Sequence, residues 1–179
     1  MKDKTINTKQ KIIIFEGHDN SGKTILSTEL SEALGIPRFK FSSCHSHFAT
    51  KYDFLLRTYY DQSMFIEFLE QTGYSIILDR SYPSEYVYGR VFNRPVDDKF
   101  ILELDERYSQ LNTTIIICDK RDAFKGYKED EVVDVCNLVV IKKTYKQFFK
   151  LTKCNTIFLD TTKQNLYGDI KTIIKFLGE

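Results

Sequence analysis

The first apolar run of the chain leads directly into a glycine-containing octapeptide, GHDNSGKT (residues 17–24). Residues 11–16 predict a β-strand and residues 23–34 a helix, so the octapeptide lies between them. Its glycines allow successive backbone N–H groups to point at one anion, and the positive end of the helix faces the same place. The chain must therefore fold with a strand, an anion-binding loop and a helix in direct succession.

The octapeptide has the Gly-x-x-x-x-Gly-Lys-Thr spacing of a phosphate loop, which predicts a bound nucleoside triphosphate. Lys23 is expected to reach the β- and γ-phosphates, and the Thr24 hydroxyl to complete the shell of a Mg²⁺ ion. The side chain of His18 is expected to face solvent. The predicted ATP-binding residues are Gly17, His18, Asn20, Ser21, Gly22, Lys23 and Thr24.

Short β-rich runs alternate with longer segments of helical period along the rest of the chain. This alternation predicts an α/β three-layer sandwich in which helices flank a five-stranded parallel sheet. We expect one domain over residues 11–179, a flexible tail over residues 1–10 and a lid at about residues 119–130. The other predicted strands are 37–41, 75–79, 113–118 and 156–160, and the other predicted helices are 47–71, 84–89, 96–111, 131–151 and 163–177.

Composition excludes several classes of function. There are 26 Lys and Arg against 25 Asp and Glu, a formal charge of +1, and a general nucleic-acid binder needs a strongly basic face. No apolar run approaches the roughly 20 residues that span a bilayer. The four cysteines show no paired spacing and no signal peptide is evident, so we expect reduced thiols in a cytoplasmic protein.

A second polar group, Asp79-Arg80-Ser81, follows the predicted third strand. Ligands of open α/β sheets lie beyond the carboxyl ends of the strands, which is where this group falls. Asp79 is placed to steady Mg²⁺, and Arg80 has the planar donor geometry that bridges phosphates in transfer. A simple ion pair with a neighbouring loop is the alternative.

The two motifs together resemble those of the thymidylate kinases and their deoxynucleoside kinase relatives, a branch of the P-loop kinases. Thymidylate kinases carry Phe-Glu-Gly-x-Asp-x-x-Gly-Lys-Thr/Ser, and residues 15–24 read FEGHDNSGKT. They also carry Asp-Arg-Tyr/His followed by a Ser and, four residues later, a Tyr; residues 79–88 read DRSYPSEYVY. The resemblance implies a P-loop NTPase fold, ATP as donor, Mg²⁺ as cofactor, and a homodimer as a common assembly.

The resemblance also implies roles in acceptor binding. Asp19 matches the loop carboxylate that touches the 3′-hydroxyl of the acceptor, and Arg80 also faces the acceptor phosphate. Ser84 and Tyr88 are four residues apart and share a helix face directed at the acceptor pocket. Phe54 and Arg57 lie near the family's base-stacking Phe and base-binding Arg, although their spacing is three where the family has four.

Asn20 stands where some members of the family place a catalytic arginine within the loop. Members without that arginine take their cations from the lid. The resemblance therefore implies that Arg121, with Lys125 or Lys128, closes over the phosphates. A solvated basic loop is the alternative interpretation.

The sequence departs from the family after the second predicted strand. Deoxynucleoside kinases place a Glu there as base for a sugar hydroxyl, and thymidylate kinases a phosphate-gripping signature, whereas residues 38–43 read RFKFSS. A phosphate acceptor is already an anion and needs no base, so the missing acid favours a monophosphate acceptor. Lys40 or Arg38 is then a candidate contact for its phosphate, and surface positions beside a strand are the alternative.

These observations predict a kinase that transfers the γ-phosphoryl group of ATP to a deoxynucleoside monophosphate, either dTMP or a related or modified pyrimidine nucleotide. The expected catalytic groups are Lys23, Asp79, Arg80 and Arg121. One alternative is a deoxynucleoside kinase, and another is a P-loop protein that binds nucleotide without catalysis. Lys, Ile and Tyr are abundant, which is typical of an AT-rich genome and suggests a phage source.

Overall fold

The computed structural model describes residues 10–41, 51–121 and 135–178. In the second helix the side chains are described only from residue 56 onward, and in the fifth helix only from residue 137 onward. These residues form five strands and six helices, which alternate along the chain except for two consecutive helices before the fourth strand. The elements are β1 (Ile12–Gly17), α1 (Lys23–Leu34), β2 (Arg38–Phe39), α2 (Lys51–Thr72), β3 (Ile76–Asp79), α3 (Tyr82–Val91), α4 (Asp98–Ser109), β4 (Thr113–Asp119), α5 (Val135–Phe148), β5 (Asn155–Asp160) and α6 (Leu166–Phe176).

The strands form one parallel sheet in the order β2-β3-β1-β4-β5, which confirms the predicted fold class. β1 is central, with Phe15 paired to Asp79 of β3 and Gly17 paired to Cys118 of β4. The carboxyl ends of β1, β3 and β4 therefore meet at one edge of the sheet. The phosphate loop and the Asp79-Arg80 group lie at that edge.

Alternate side chains of β1 build the two layers of the core. Ile12 and Ile14 belong to the cluster that packs against α2, α3, α4 and α5, while Ile13 and Phe15 face α1 and α6. Because parallel strands are covered on both faces, their runs are apolar throughout rather than alternating. Among the described residues, no helix combines the length and hydrophobicity that a membrane crossing requires.

Element boundaries differ from prediction where local signals are weak. β2 is an edge strand of two residues, shorter than the predicted 37–41, because its ladder with β3 consists of Arg38–Ile77 and Phe39–Leu78. Helix α3 begins at Tyr82 and not at Ser84, since Pro83 fits the first helical turn, where its missing N–H costs nothing.

The amino-terminal boundary of the domain also differs. Gln10, predicted to belong to the tail, is buried, and its Nε2 donates to the carbonyl oxygens of Leu69 and Tyr74 at 3.0 and 3.1 Å. Residues 1–9 lie outside the described residues. Cys118 and Cys154 are free and buried.

Candidate active site

The phosphate loop adopts a backbone that only small or turn-forming residues favour. Gly17, Asn20 and Gly22 all have positive φ, at 136°, 59° and 84°. A Cβ atom on residue 17 would lie 2.2 Å from the carbonyl oxygen of Cys118, so β4 also requires a glycine there. The loop is thus shaped by its own glycines and by the neighbouring strand.

Lys23 is folded back onto the loop. Its Nζ donates to the carbonyl oxygen of His18 at 2.5 Å and to Oγ of Ser21 at 3.2 Å. Burial, together with repulsion from Arg80, lowers the pKa of Lys23 to about 7. A buried ammonium held mainly by neutral oxygens is a site that an anion would stabilise.

Thr24 and Asp79 supply the oxygen atoms of a candidate metal site. The Thr24 hydroxyl donates to Oδ2 of Asp79 at 2.9 Å, and Asp79 is buried. A hydroxyl and a carboxylate beside a phosphate loop suit Mg²⁺, which takes few protein ligands and completes its shell with phosphates and water. Within the described ranges no group of three or more His, Cys, Asp or Glu residues could hold a metal ion. These two residues therefore fit Mg²⁺ bound together with a nucleotide.

Arg80 lies at the centre of a hydrogen-bond network. Its φ is +71°, and its N–H donates to the carbonyl oxygen of Phe15 at 3.0 Å, which aims the side chain over the loop. Nη2 donates to Oδ1 of Asp19 at 2.6 Å and to the Tyr88 hydroxyl at 2.8 Å, and the guanidinium carbon lies 4.7 Å from the centre of the Tyr88 ring. Nη1 donates to Oγ of Ser84 at 3.2 Å. The structure thus brings Asp19, Ser84 and Tyr88 together around Arg80.

Glu16 and Tyr145 complete this network and were assigned no role from the sequence. The Glu16 carboxylate accepts from the N–H of Ser81 at 2.8 Å, from Oγ of Ser84 at 2.6 Å and from the hydroxyl of Tyr145 at 2.8 Å. Tyr145 also accepts from Nη1 of Arg80 at 3.2 Å. Burial raises the pKa of Glu16, although the charge of Arg80 and these hydrogen bonds act in the opposite direction. A carboxylate in an otherwise apolar strand was the available signal for Glu16.

His18 does not face solvent, so that expectation is wrong. Its side chain is buried, its Nε2 accepts from the N–H of Lys120 at 3.1 Å, and its Nδ1 lies 2.7 Å from the carbonyl oxygen of Asp19. Since a carbonyl only accepts, the proton is on Nδ1. The imidazole therefore joins the phosphate loop to the chain that leaves β4.

The remaining predicted residues lie apart from this network or outside the described part of the structure. Lys40 is exposed, and Arg57 lies on the outer side of α2, with 58% of its side chain exposed and its Nε 3.0 Å from Oδ2 of Asp61. The expected proximity of Arg57 to the acceptor is therefore not seen. Phe54 belongs to α2, but its side chain is outside the described part, as are Lys125 and Lys128.

Arg121 lies beyond the end of β4, beside β5. Its Nη2 is 2.6 Å from Oδ2 of Asp160, its N–H donates to Oγ1 of Thr162 at 2.9 Å, and 77% of its side chain is exposed. In this arrangement the guanidinium is paired at the β5 edge. A role over the phosphates requires it to leave Asp160.

A phosphate loop on a parallel sheet, with a Thr–Asp oxygen pair at the strand ends, defines the P-loop NTPase class of fold. No family model matches the sequence, and no curated protein matches it. Solved structures do match. The YorR protein from Bacillus subtilis, in complex with phosphorylated GDP, aligns with a TM-score of 0.72 at 18% identity, over 93% of this chain and 95% of that one.

Two enzymes with the same fold extend this comparison. A deoxyadenosine kinase from M. mycoides with bound dATP aligns with a TM-score of 0.66 at 18% identity, over 95% of this chain and all (100%) of that one. A thymidylate kinase from Candida albicans aligns with a TM-score of 0.59 at 18% identity, over 93% and 92%. The chain therefore has the fold of the thymidylate and deoxyadenosine kinases.

Proposed function

We propose that the protein transfers the γ-phosphoryl group of ATP to a deoxynucleoside monophosphate, with dTMP or a related pyrimidine nucleotide as acceptor. The observation that carries the proposal is the convergence of three groups at one sheet edge. These are the Lys23 ammonium within the phosphate loop, the Thr24–Asp79 oxygen pair, and the Arg80 guanidinium held by Asp19. Kinases with the same fold act on deoxynucleosides or thymidylate, which supports the class of acceptor.

Each of these groups has a task in phosphoryl transfer. The loop amides and Lys23 bind the donor phosphates, and Thr24 with Asp79 would hold Mg²⁺, which neutralises phosphate charge when bound. Arg80 carries five N–H donors in a plane and stabilises charge on the transferred group. The reaction needs little covalent chemistry from the protein, so positioning and charge account for catalysis.

The acceptor side of the site favours a nucleotide over a bare nucleoside. Arg80 is a permanent cation beside the loop, and residues 38–41 contain no acid that could serve as base. Asp19 is our candidate for binding a sugar hydroxyl, because its carboxylate is partly exposed and accepts a hydrogen bond from Arg80. When an acceptor phosphate binds Arg80, Asp19 becomes available for that hydroxyl.

A deoxynucleoside kinase is the second candidate. The similarity to deoxyadenosine kinase covers the whole of that enzyme, and Arg80 bonds to Ser84 as part of an Asp-Arg-Ser-x-x-Ser sequence. In this alternative Asp19 would accept the proton of the sugar hydroxyl. The two candidates differ in the acceptor alone.

A radiolabelled ATP assay that offers thymidine and dTMP, then the other nucleosides and monophosphates, separates these functions. We expect transfer to dTMP and little to thymidine, and the opposite result identifies a nucleoside kinase. Arg80→Ala should retain ATP binding and lose turnover, whereas Lys23→Ala should lose ATP binding. If no acceptor in the panel is phosphorylated, the protein binds nucleotide without catalysis.

A further inference from the structure

The carboxylate of Asp79 is shared by two groups that do not belong to the same element. Its Oδ2 accepts from the Thr24 hydroxyl of α1 at 2.9 Å and is also ion-paired with Nη2 of Arg38 from β2. Nε of Arg38 donates to Oγ of Ser27 at 2.7 Å, so the guanidinium bridges β3 and α1. The Asp79 oxygen that is a candidate metal ligand is therefore already paired with Arg38.

Burial explains why a cation is needed at this oxygen. The side chain of Asp79 is 2% exposed and that of Arg38 is 23% exposed. A buried carboxylate without a partner is strongly unfavourable, so Asp79 requires a positive charge whenever no metal is bound. Lys23 directs its hydrogen bonds elsewhere, to the carbonyl oxygen of His18 and Oγ of Ser21.

We propose that Arg38 is the counterion of Asp79 in the metal-free protein and yields Oδ2 to Mg²⁺ when the metal–nucleotide complex binds. The inference rests on the proposed function, since the metal is the one that accompanies ATP. Both cations would be attracted to the same carboxylate, so each is expected to weaken the binding of the other. Ser27 keeps the displaced guanidinium within the site.

The displaced arginine then has a defined partner. A partly buried guanidinium that loses its carboxylate needs another anion, and the anions that enter the site with the metal are phosphates. Arg38 would therefore move from protein carboxylate to substrate phosphate in one exchange. The strand that carries it, β2, is the short edge strand, where such a side-chain shift disturbs few neighbours.

The exchange is tested by metal affinity. Mn²⁺ replaces Mg²⁺ as a spectroscopic probe, and electron paramagnetic resonance measures free Mn²⁺ over wild type, Arg38→Gln and Arg38→Lys, each without nucleotide. Because the competing cation is removed, Arg38→Gln should bind Mn²⁺ roughly tenfold more tightly, or better. Arg38→Lys, which keeps a charge without the planar fork, should fall between the two.

Arg107→Gln is the matched control, since Arg107 forms a bidentate pair with Glu70 away from the site. It should change Mn²⁺ affinity little. Arg38→Gln should also lose melting temperature that added Mn²⁺ restores, whereas Arg107→Gln should lose it without restoration. If Arg38→Gln folds only when Mn²⁺ is present, that dependence likewise supports the exchange.

Two results overturn the inference in distinguishable ways. Equal or weaker Mn²⁺ binding by Arg38→Gln, while wild type binds Mn²⁺ with a non-hydrolysable ATP analogue, refutes the exchange and leaves the proposed function intact. Failure of the wild type to bind Mn²⁺ even with the analogue removes the metal site, and with it both proposals.

Discussion

The buried carboxylate of Glu16 offers a direct test of how Arg80 is positioned. In Glu16→Gln the side-chain shape is kept, and one oxygen can still accept from the N–H of Ser81. The other oxygen becomes an NH₂ group facing the hydroxyls of Ser84 and Tyr145, which already receive Nη1 of Arg80. Each hydroxyl then faces two donors, the new NH₂ group and Nη1 of Arg80, and loses the carboxylate oxygen to which it donated.

The magnitude follows from the bonds that change. Hydrogen bonds to charged groups contribute about 1.5–3 kcal/mol each, and two are lost. Relief from burying a charge offsets part of this loss, which leaves a decrease of about 2 kcal/mol in the free energy of unfolding. Because both hydroxyls also hold Arg80, a shift of its guanidinium by about 1 Å should lower kcat roughly 100-fold. KM for ATP should change little, because the hydrogen bonds of Glu16 lead to α3 and α5.

Steady-state kinetics and urea unfolding measure the two effects separately. Asp105→Asn is a matched control, because Asp105 is a buried carboxylate that accepts from the hydroxyls of Tyr82 and Thr152 and from the N–H of Lys153. It should lose a similar free energy of unfolding yet retain kcat per folded molecule.

The reasoning is refuted if Glu16→Gln keeps wild-type kcat while losing stability. A loss of kcat matched by Asp105→Asn at the same temperature would also refute it, since instability alone would then explain the defect. A change confined to KM for ATP would assign Glu16 to the donor site instead.

Three further predictions concern the phosphate loop. Because the pKa of Lys23 is lowered to about 7, its side chain should be a neutral amine in the free protein at pH 8.5. ATP binding at this pH should then take up about one proton, which calorimetry in buffers of different ionisation enthalpy measures. Lys23→Met should abolish this proton uptake. Gly17→Ala should lower the free energy of unfolding by more than about 2 kcal/mol, measured in urea, because of its positive φ and the contact with Cys118; an unchanged value would contradict the backbone argument. His18→Leu should lower it by about 1–3 kcal/mol, since the N–H of Lys120 loses its acceptor, and unchanged stability would show that this bond contributes nothing.

The local sequence was sufficient to predict the fold class and the phosphate loop of the candidate site. The phosphate loop is eight consecutive residues between a strand and a helix, and its chemistry follows from that covalent spacing. Buried parallel strands are apolar throughout, so β1, β3 and β4 were recognisable from composition alone. Asp79 and Arg80 were predicted as site residues because they stand at the end of a strand that was expected to reach the same sheet edge as the phosphate loop.

The supporting groups were decided by tertiary structure, because they come from distant parts of the chain. Tyr145 bonds to Glu16 across 129 positions, and His18 bonds to Lys120 across 102. Tyr145 belongs to no motif, and the sequence predicts only that it lies in a helix. Hydrogen bonds of this kind depend on how helices pack on the sheet, which side-chain periodicity does not specify.

The pairing of Arg38 with Asp79 shows the same division. The sequence predicted Asp79 as a metal-site residue and Arg38 as a cation beside a strand, and the two are 41 positions apart. Only the folded sheet, in which β2 lies beside β3, brings the guanidinium of Arg38 to the buried Oδ2 of Asp79. The sequence thus specifies which chemical groups can form the site. The order of the strands, and the burial that this order imposes, decides which of these groups contact one another.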